Sequence, residues 1–393
     1  MMKRFDMTIL NMRTLNTKVL KKFSPITLLS ATVLSAMFIS ACQPSNEPNQ
    51  KTANDAKTNE LKNTAQAKQV DKACLSLSTS MQAINHESKV ESLEKVNQLL
   101  KDCVSQVDNA QQLKWIDETT SMYDHFFAHE LTDSKQMAAF DEYGLSILEA
   151  NQGDALDQRV IKGDQKIFKT LSPRDQYLMN QQDKAYIELH YQGEGMFQYR
   201  RSPAYIKTIF AEALPEDQRV FVTRMAQDND ALFFNDAAIA ISWAEMVDRA
   251  LFWENYLQKY PKSHFKADAK KLFEEYQYFI FFGSDNTPVS DEFAPDTWID
   301  ENALGHIKAL AKRQDTALAE PAKKFLTFIK TPVNERMKKY PVEPKDRDGY
   351  EKSSYTIARE QLRKVLNLSD PWDSSSDSYR DCHADGICVM WQQ

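Results

Sequence analysis

The chain has 393 residues, and its 49 Lys and Arg residues against 56 Asp and Glu residues give a net charge of −7. Residues 1–41 hold six of the basic residues and one Asp, which leaves −12 for the chain from residue 42 onward. Phosphate binding needs Lys and Arg on the surface, so this acidic charge argues against nucleic acid as a partner. Glycine is scarce, with nine in the chain. Neither a phosphate-binding loop nor a dinucleotide-binding fingerprint occurs.

The first 41 residues have the pattern of an export signal. Basic residues precede the apolar run Ile26–Ser40, which is too short to span ~30 Å of hydrocarbon comfortably. The run ends in Ile39-Ser40-Ala41-Cys42, which resembles the lipobox of bacterial lipoproteins. The resemblance implies cleavage before Cys42 and acylation at this residue, and two or three acyl chains anchor a protein stably. An ordinary signal peptide and a free N-terminal helix are the alternatives.

The residue after Cys42 indicates which membrane a lipoprotein is anchored in. In lipoproteins of diderm bacteria, an Asp there tends to hold the protein in the inner membrane. This chain has Gln43 instead. The resemblance therefore implies a lipid anchor in the cell outer membrane, facing the periplasm by default.

Residues 42–71 are predicted to be the lipidated cysteine and a disordered tether. Gln43 to Asp71 contains no aromatic residue and only one Leu and one Val. Such a segment buries too little apolar surface to offset its ordering entropy. A flexible chain of this length reaches roughly 30 Å. We therefore divide the chain into a signal peptide (1–41), this anchor and tether (42–71), a helical body (72–368) and an acidic tail (369–393).

The body is predicted to be all-α. Apolar residues recur every three or four positions, as on the buried face of a helix, in the segments 90–107, 247–260, 269–280, 303–310 and 322–329. A hydroxyl residue before a proline is the order expected at a helix start, and it occurs at Ser172-Pro173, Ser202-Pro203 and Thr331-Pro332. Pro261 separates two periodic runs, and Gly283 follows another. We expect roughly ten to twelve helices.

The segment Tyr186–Arg201 departs from the helical pattern. It contains a Gly-Glu-Gly break, which is compatible with a short hairpin or with two helix ends flanking a loop. We expect the two helix ends and the loop.

Two short segments carry a second resemblance. Trp253–Tyr276 resembles the tetratricopeptide-like helix-turn-helix found in bacterial envelope lipoproteins, and Phe281–Pro288 is similar to segments of helical envelope lipoproteins. Together they cover under a tenth of the chain. The resemblance implies an array of helix-turn-helix pairs of degenerate tetratricopeptide-like type, since no strict 34-residue repeat is present. It carries over no catalytic residue.

Four cysteines remain beyond Cys42. An even number in an exported chain implies two disulfides. Of the three possible pairings we favour the two local ones, Cys74–Cys103 and Cys382–Cys388. A zinc site is the alternative, but the spacings do not match known zinc-binding pairs.

Two groups of residues are candidate metal ligands. His125 and His129 lie four apart on a predicted helix, so both imidazoles face one side, but no third ligand is evident. The tail carries five carboxylates that are able to ligate calcium, but not in EF-hand order: Asp370, Asp373, Asp377, Asp381 and Asp385. We expect a polar helix edge and an acidic disulfide loop packed back on the body, with no metal and no cofactor.

Two further features point to ligands. Eleven aromatic residues fall between Phe252 and Phe282, and we expect most of them in the core, with some available to line a groove for sugar or peptide. Glu194, Arg200 and Arg201 offer an acid and two cations in one loop. A glycan-cleaving enzyme requires two carboxylates, and Glu194 has no evident partner.

These patterns favour a membrane-anchored, periplasm-facing lipoprotein that serves as a protein- or peptide-binding scaffold in the cell envelope. Stacked helix pairs form extended concave surfaces that suit such partners. The alternative is an envelope hydrolase acting on peptidoglycan, with Glu194 as its acid. The sequence identifies no catalytic residue and leaves open whether the protein is an enzyme.

Overall fold

A computed structural model describes residues 72–128, 134–151, 162–231, 233–371 and 380–390. The signal segment, Cys42 and the tether lie outside the described residues, as do His129, Asp373 and Asp377. The described part is mostly helical, as predicted, with few and short strands. None of its helices is long and apolar enough to cross a membrane.

Fifteen α-helical segments occur among the described residues. They are α1 (Lys72–Leu75), α2 (Leu77–Gln82), α3 (Val90–Cys103), α4 (Asn109–Phe127), α5 (Ser134–Asn151), α6 (Gln165–Phe168), α7 (Pro173–Met179), α8 (Ala204–Phe210), α9 (Glu216–Asp230), α10 (Trp243–Lys259), α11 (Lys266–Phe282), α12 (Glu301–Leu310), α13 (Ala319–Phe328), α14 (Val333–Lys339) and α15 (Ser354–Leu366). The number exceeds the ten to twelve expected because several segments have only four to seven residues. Segments so short show too little periodicity to be recognised in a sequence.

The strands in the described part of the chain form four separate antiparallel pairs. They are β1 (Ile187–Gly193) with β2 (Met196–Arg201), β3 (Phe234–Asn235) with β4 (Ala238–Ile239), β5 (Gly283–Ser284) with β6 (Thr287–Pro288), and β7 (Arg380–Asp381) with β8 (Val389–Met390). Gly283 ends α11 with a φ of 70°, as its position after the periodic run predicts. A Cβ atom at this position would lie 2.1 Å from the Thr287 carbonyl oxygen, so β5 and β6 require glycine here.

The proline positions predict the helix starts well but the capping less well. Ser172 caps α7, accepting a hydrogen bond of 3.0 Å from the Asp175 N–H, as predicted. Helices α8 and α14 begin one residue after Pro203 and Pro332, and these prolines occupy the cap position themselves. The preceding hydroxyls at Ser202 and Thr331 are therefore displaced from the cap, and neither helix has a side-chain cap.

The expectation of two helix ends at Tyr186–Arg201 is wrong, because this segment is the β1–β2 hairpin. Ile187, Leu189 and Tyr191 alternate with polar residues at period two, which fits a strand with one buried face. The Gly-Glu-Gly break forms the turn, where φ is 102° at Gly193, 52° at Glu194 and 82° at Gly195. A turn with three successive positive φ values favours glycine, and two of the three positions have it.

The core is one large cluster of apolar side chains contributed by nearly every described helix. Trp253–Tyr276 forms the end of α10, a turn at Pro261 and most of α11, as the predicted helix-turn-helix requires. A smaller cluster under the hairpin contains Phe140, Tyr143 and Phe197, which joins α5 to β2. The tetratricopeptide-like repeat arrangement stays a prediction.

Both favoured disulfides are present. Cys74–Cys103 joins α1 to the end of α3, and Cys382–Cys388 closes a loop between β7 and β8. Cys382 and Ile387 are buried, so this loop packs against the body as predicted for the tail.

Candidate functional site

A cavity of about 380 Å³ lies between the β1–β2 hairpin, α11, the segment before β3 and the disulfide loop. Its volume falls within the range of roughly 300–1,000 Å³ that is usual for ligand sites. We describe it as the hairpin cavity, one wall at a time.

The hairpin contributes a polar wall made of His190, Gln192 and Gln198. His190 and Gln192 both lie on β1 and line the cavity, and the pairing of β1 with β2 shifts register between Tyr191 and Gly193. Gln198 of β2 lies directly opposite His190. Among the described residues, none forms a hydrogen bond with these three side chains. Their hydrogen-bonding groups are therefore available to a ligand.

Helix α11 contributes the facing wall. Lys271, Glu275 and Phe279 follow one another at intervals of four residues, which places them on one face of the helix. Lys271 Nζ lies 3.6 Å from Glu275 Oε1. Glu275 Oε2 also lies 2.9 Å from His383 Nε2. The carboxylate of Glu275 is thus held between a lysine and an imidazole.

The disulfide loop closes the third side through Arg380, Asp381 and His383. Arg380 pairs with the buried carboxylate of Asp268. Asp381 Oδ1 accepts a hydrogen bond of 2.7 Å from the backbone N–H of His383. The His383 ring also stacks on Phe233, with 4.8 Å between the ring centroids. These contacts fix the loop residues that border the cavity.

A buried network joins the loop to the hairpin. Arg201, the last residue of β2, binds Asp385 Oδ2 and donates hydrogen bonds to the hydroxyls of Thr119 and Thr120. Burial opposes the charge on Arg201, but the charge of Asp385 is close enough to keep the pKa of the guanidinium above its usual value. Asn229 donates a hydrogen bond of 3.0 Å to the Cys382 carbonyl oxygen.

Two cations and two anions border the cavity. Lys271 and Arg380 are cations, and Glu275 and Asp381 are anions. Burial, together with the nearby charge of Arg200, lowers the pKa of His190 to about 4, so this imidazole is neutral at neutral pH. The cavity therefore combines neutral hydrogen-bonding groups with charged side chains, and the almost fully buried rings of Phe233 and Phe279 lie at its wall.

The His383–Glu275 pair resembles an oriented acid–base dyad, but its geometry does not serve one. The nitrogen of His383 that does not contact Glu275, Nδ1, is buried and has no hydrogen-bond partner. A general base must present its free nitrogen to the proton that it abstracts. This arrangement therefore positions the disulfide loop and supplies no base to the cavity.

The candidate residues named from sequence lie apart from the hairpin cavity or have structural roles. Glu194 is exposed at the turn of the hairpin, and His125 is exposed on α4. Arg200 pairs with Glu188 across the strands, and Arg201 is buried against Asp385. An exposed carboxyl such as Glu194 lacks the desolvated surroundings of a typical general acid.

The acidic tail and the aromatic run also have mainly structural roles. Asp370 accepts a hydrogen bond of 3.1 Å from the Tyr278 hydroxyl, and Asp385 binds Arg201. Most of the eleven aromatic residues are buried, as expected, and Phe279 is the member of that run that lines the cavity. Asp268 lies within 4.8 Å of the sulfurs of Cys382 and Cys388, but the disulfide leaves no thiolate to bind a metal.

Sequence reasoning missed His190, Gln192 and Gln198 because their segment was not taken for a hairpin. The period-two alternation from Ile187 to Tyr191 was the available signal. Comparison of the chain with protein-family models, with curated proteins and with solved structures gives no match.

Proposed function

We propose that this protein is a lipid-anchored binding module of the cell envelope, which holds a peptide segment of a protein partner in the hairpin cavity. The observation that carries the proposal is the row His190, Gln192 and Gln198, whose hydrogen-bonding groups have no partner among the described residues. A few polar side chains that converge on a partly enclosed cavity are a usual feature of ligand sites, where they orient the ligand.

The anchor and the tether belong to the same proposal and rest on the sequence. Acylation at Cys42 would hold the chain at the outer membrane, facing the periplasm, and a tether of roughly 30 Å would let the body search for partners near that surface. Intact-mass analysis of the membrane-extracted protein tests the anchor. We expect a mature chain that begins at Cys42 and bears acyl groups. An unmodified N-terminus beyond Cys42 would contradict it.

Site-directed photo-crosslinking in living cells tests the binding function. A photoreactive residue replaces Gln192, whose side chain is exposed at the cavity, and in a control chain it replaces Gln227, which is exposed on α9. We expect a discrete adduct from position 192 that is absent from position 227. The adduct should disappear when Gln198→Arg fills the cavity. Identical adducts from both positions, or an adduct unaffected by Gln198→Arg, would contradict the proposal.

A further inference from the structure

Basic residues are concentrated in one part of the chain. Residues 308–339, from the last turn of α12 to the end of α14, hold nine Lys and Arg residues against three acidic residues, a net charge of +6. The remainder of the chain from residue 42 onward carries −18. So strong a segregation of charge gives this part of the surface a potential opposite to that of the rest of the protein.

Seven of these nine residues are exposed lysines that have no ion-pair partner among the described residues. They are Lys308, Lys312, Lys323, Lys324, Lys330, Lys338 and Lys339. By contrast, Lys270 and Lys345 each lie within 4 Å of a glutamate, with N–O distances of 3.4 and 3.5 Å. The positive charge of residues 308–339 is therefore available to an anionic partner.

Helix α13 directs its lysines outward because its opposite face is buried. Ala322, Phe325 and Phe328 pack into the core. Lys323 and Lys324 lie between them in sequence and are exposed. The helical period thus separates an apolar inner face from a basic outer face.

Helix α14 is held on the end of α13 through Arg336, the buried residue of this helix. The guanidinium carbon of Arg336 lies 4.6 Å from the centroid of the Phe328 ring, and Nη1 donates a hydrogen bond of 2.9 Å to the Phe293 carbonyl oxygen. Val333 and Met337 are 51% and 38% exposed. They lie four residues apart and therefore on one side of the helix, next to the exposed lysines at its end.

Exposed lysines beside exposed apolar side chains match the surface of a bilayer that contains anionic lipid. Lipid phosphates attract the ammonium groups, and apolar side chains gain by entering the boundary between headgroups and acyl chains. The proposed anchor and its tether keep the body within roughly 30 Å of a membrane. This proximity raises the effective concentration of lipid headgroups above that of a soluble anion.

From these observations we infer that α13 and α14 form a second contact with the membrane. Their lysines bind anionic headgroups, and Val333 and Met337 enter the interface. The inference rests on the proposed anchor for its location and does not involve the hairpin cavity.

The test uses the full chain in vesicles of phosphatidylcholine, with or without about one third phosphatidylglycerol, whose anionic headgroups attract lysine. An environment-sensitive fluorescent amino acid replaces Asn334, which is exposed on α14, or Gln227, which is exposed on α9. Brominated acyl chains quench a probe that reaches the interface. We expect quenching at position 334 in the anionic vesicles alone and at position 227 in neither. Salt at about 1 M should remove it, because charge interactions are then screened within about 3 Å.

Lysine variants identify the surface that makes the contact. A lysine near an anionic leaflet favours the contact by about fivefold, so replacing four of them by glutamine should abolish the quenching at position 334. The four are Lys323, Lys324, Lys338 and Lys339. The matched control removes the same charge from exposed lysines elsewhere that also lack an ion pair among the described residues, and it should keep the quenching. Its four positions are Lys89, Lys95, Lys207 and Lys262.

A further variant tests the apolar part of the contact. Val333→Ser combined with Met337→Gln should weaken the contact by about tenfold, because the burial of these side chains at the interface is lost. Circular dichroism verifies that all variants are folded.

Several results would overturn the inference. Equal quenching at position 334 in both kinds of vesicle would refute a contact through anionic lipid, and equal loss in the two lysine variants would refute a role for this particular surface. Poly-glutamate that shifts the emission at position 334 when anionic vesicles leave it unchanged would assign the surface to an acidic protein partner. Flotation of the chain with phosphatidylcholine vesicles tests the anchor separately, so failure of the anchor and failure of this contact are distinguishable.

Discussion

Arg201 and Asp385 form a buried ion pair that joins the β1–β2 hairpin to the disulfide loop across 184 residues of sequence. Arg201 Nε lies 3.1 Å from Asp385 Oδ2, and both residues are buried. The pair holds two walls of the hairpin cavity in a fixed relation. Its loss should therefore affect both stability and binding.

We expect Asp385→Ala to lower the free energy of unfolding by about 3–5 kcal/mol, because it leaves the Arg201 charge buried without its partner. Urea denaturation monitored by circular dichroism measures this loss. Glu351→Gln is the matched control, since it breaks the exposed pair with Lys345 and should leave the unfolding midpoint unchanged. A loss below about 1 kcal/mol in Asp385→Ala would show that the pair contributes little.

The two disulfides should contribute different amounts to the free energy of unfolding. The Cys74–Cys103 bridge closes a separation of 29 residues, and the chain-entropy treatment gives it about 3.5 kcal/mol. The Cys382–Cys388 bridge closes a separation of six, worth about 2.2 kcal/mol. Replacing each pair by alanine and measuring urea denaturation tests this order.

Loss of the two disulfides should affect binding at the hairpin cavity in the reverse order. The Cys382–Cys388 loop supplies His383 to the cavity and adjoins Asp381 of β7, whereas Cys74 and Cys103 lie outside the cavity. We expect loss of the Cys382–Cys388 bridge to abolish the adduct at position 192. Loss of the Cys74–Cys103 bridge should leave the adduct unchanged. Equal effects on the adduct would show that the loop does not shape the site.

His190 should make the folded protein sensitive to mild acid. Its folded pKa of about 4 lies below the usual 6.5, so between these values the unfolded chain binds the extra proton. With respect to His190, the free energy of unfolding is highest above pH 6.5. It falls by up to about 3 kcal/mol as the pH falls towards 4. The charged or titratable groups near His190 are Arg200, which lowers its pKa, and the cavity residues Lys271, Glu275, Arg380, Asp381 and His383.

An NMR titration of the His190 ring measures this pKa directly, with His190→Gln to assign the signal. The same variant should lose the corresponding part of the pH dependence in urea denaturation. A ring that titrates near 6.5 would show that the side chain is solvated and available as a cation.

Glu194 should not support hydrolysis of peptidoglycan. Its side chain is exposed at the hairpin turn, where nothing desolvates a general acid. We expect the purified chain and Glu194→Gln alike to release no muropeptides from cell-wall sacculi. Release by the wild-type chain that Glu194→Gln abolishes would replace the binding function with the enzymatic one.

Local patterns in the sequence were sufficient for the longer helices and for the disulfides. The apolar spacing in residues 247–260 and 269–280 follows from the helical period, which requires no knowledge of the tertiary fold. The pairing of Cys74 with Cys103 and of Cys382 with Cys388 followed from an even number of cysteines and the preference for local partners. These features depend on neighbours in the chain.

The candidate site depends on contacts between distant segments, and only the tertiary structure decided it. Gln198, Glu275 and His383 come from a hairpin, a helix and a disulfide loop that are far apart in sequence. The neighbouring sequence does not distinguish any of them from an ordinary surface residue, since polar side chains are common on strands, helices and loops alike. Their role emerges only when packing places them around one cavity and leaves some of their polar groups without partners.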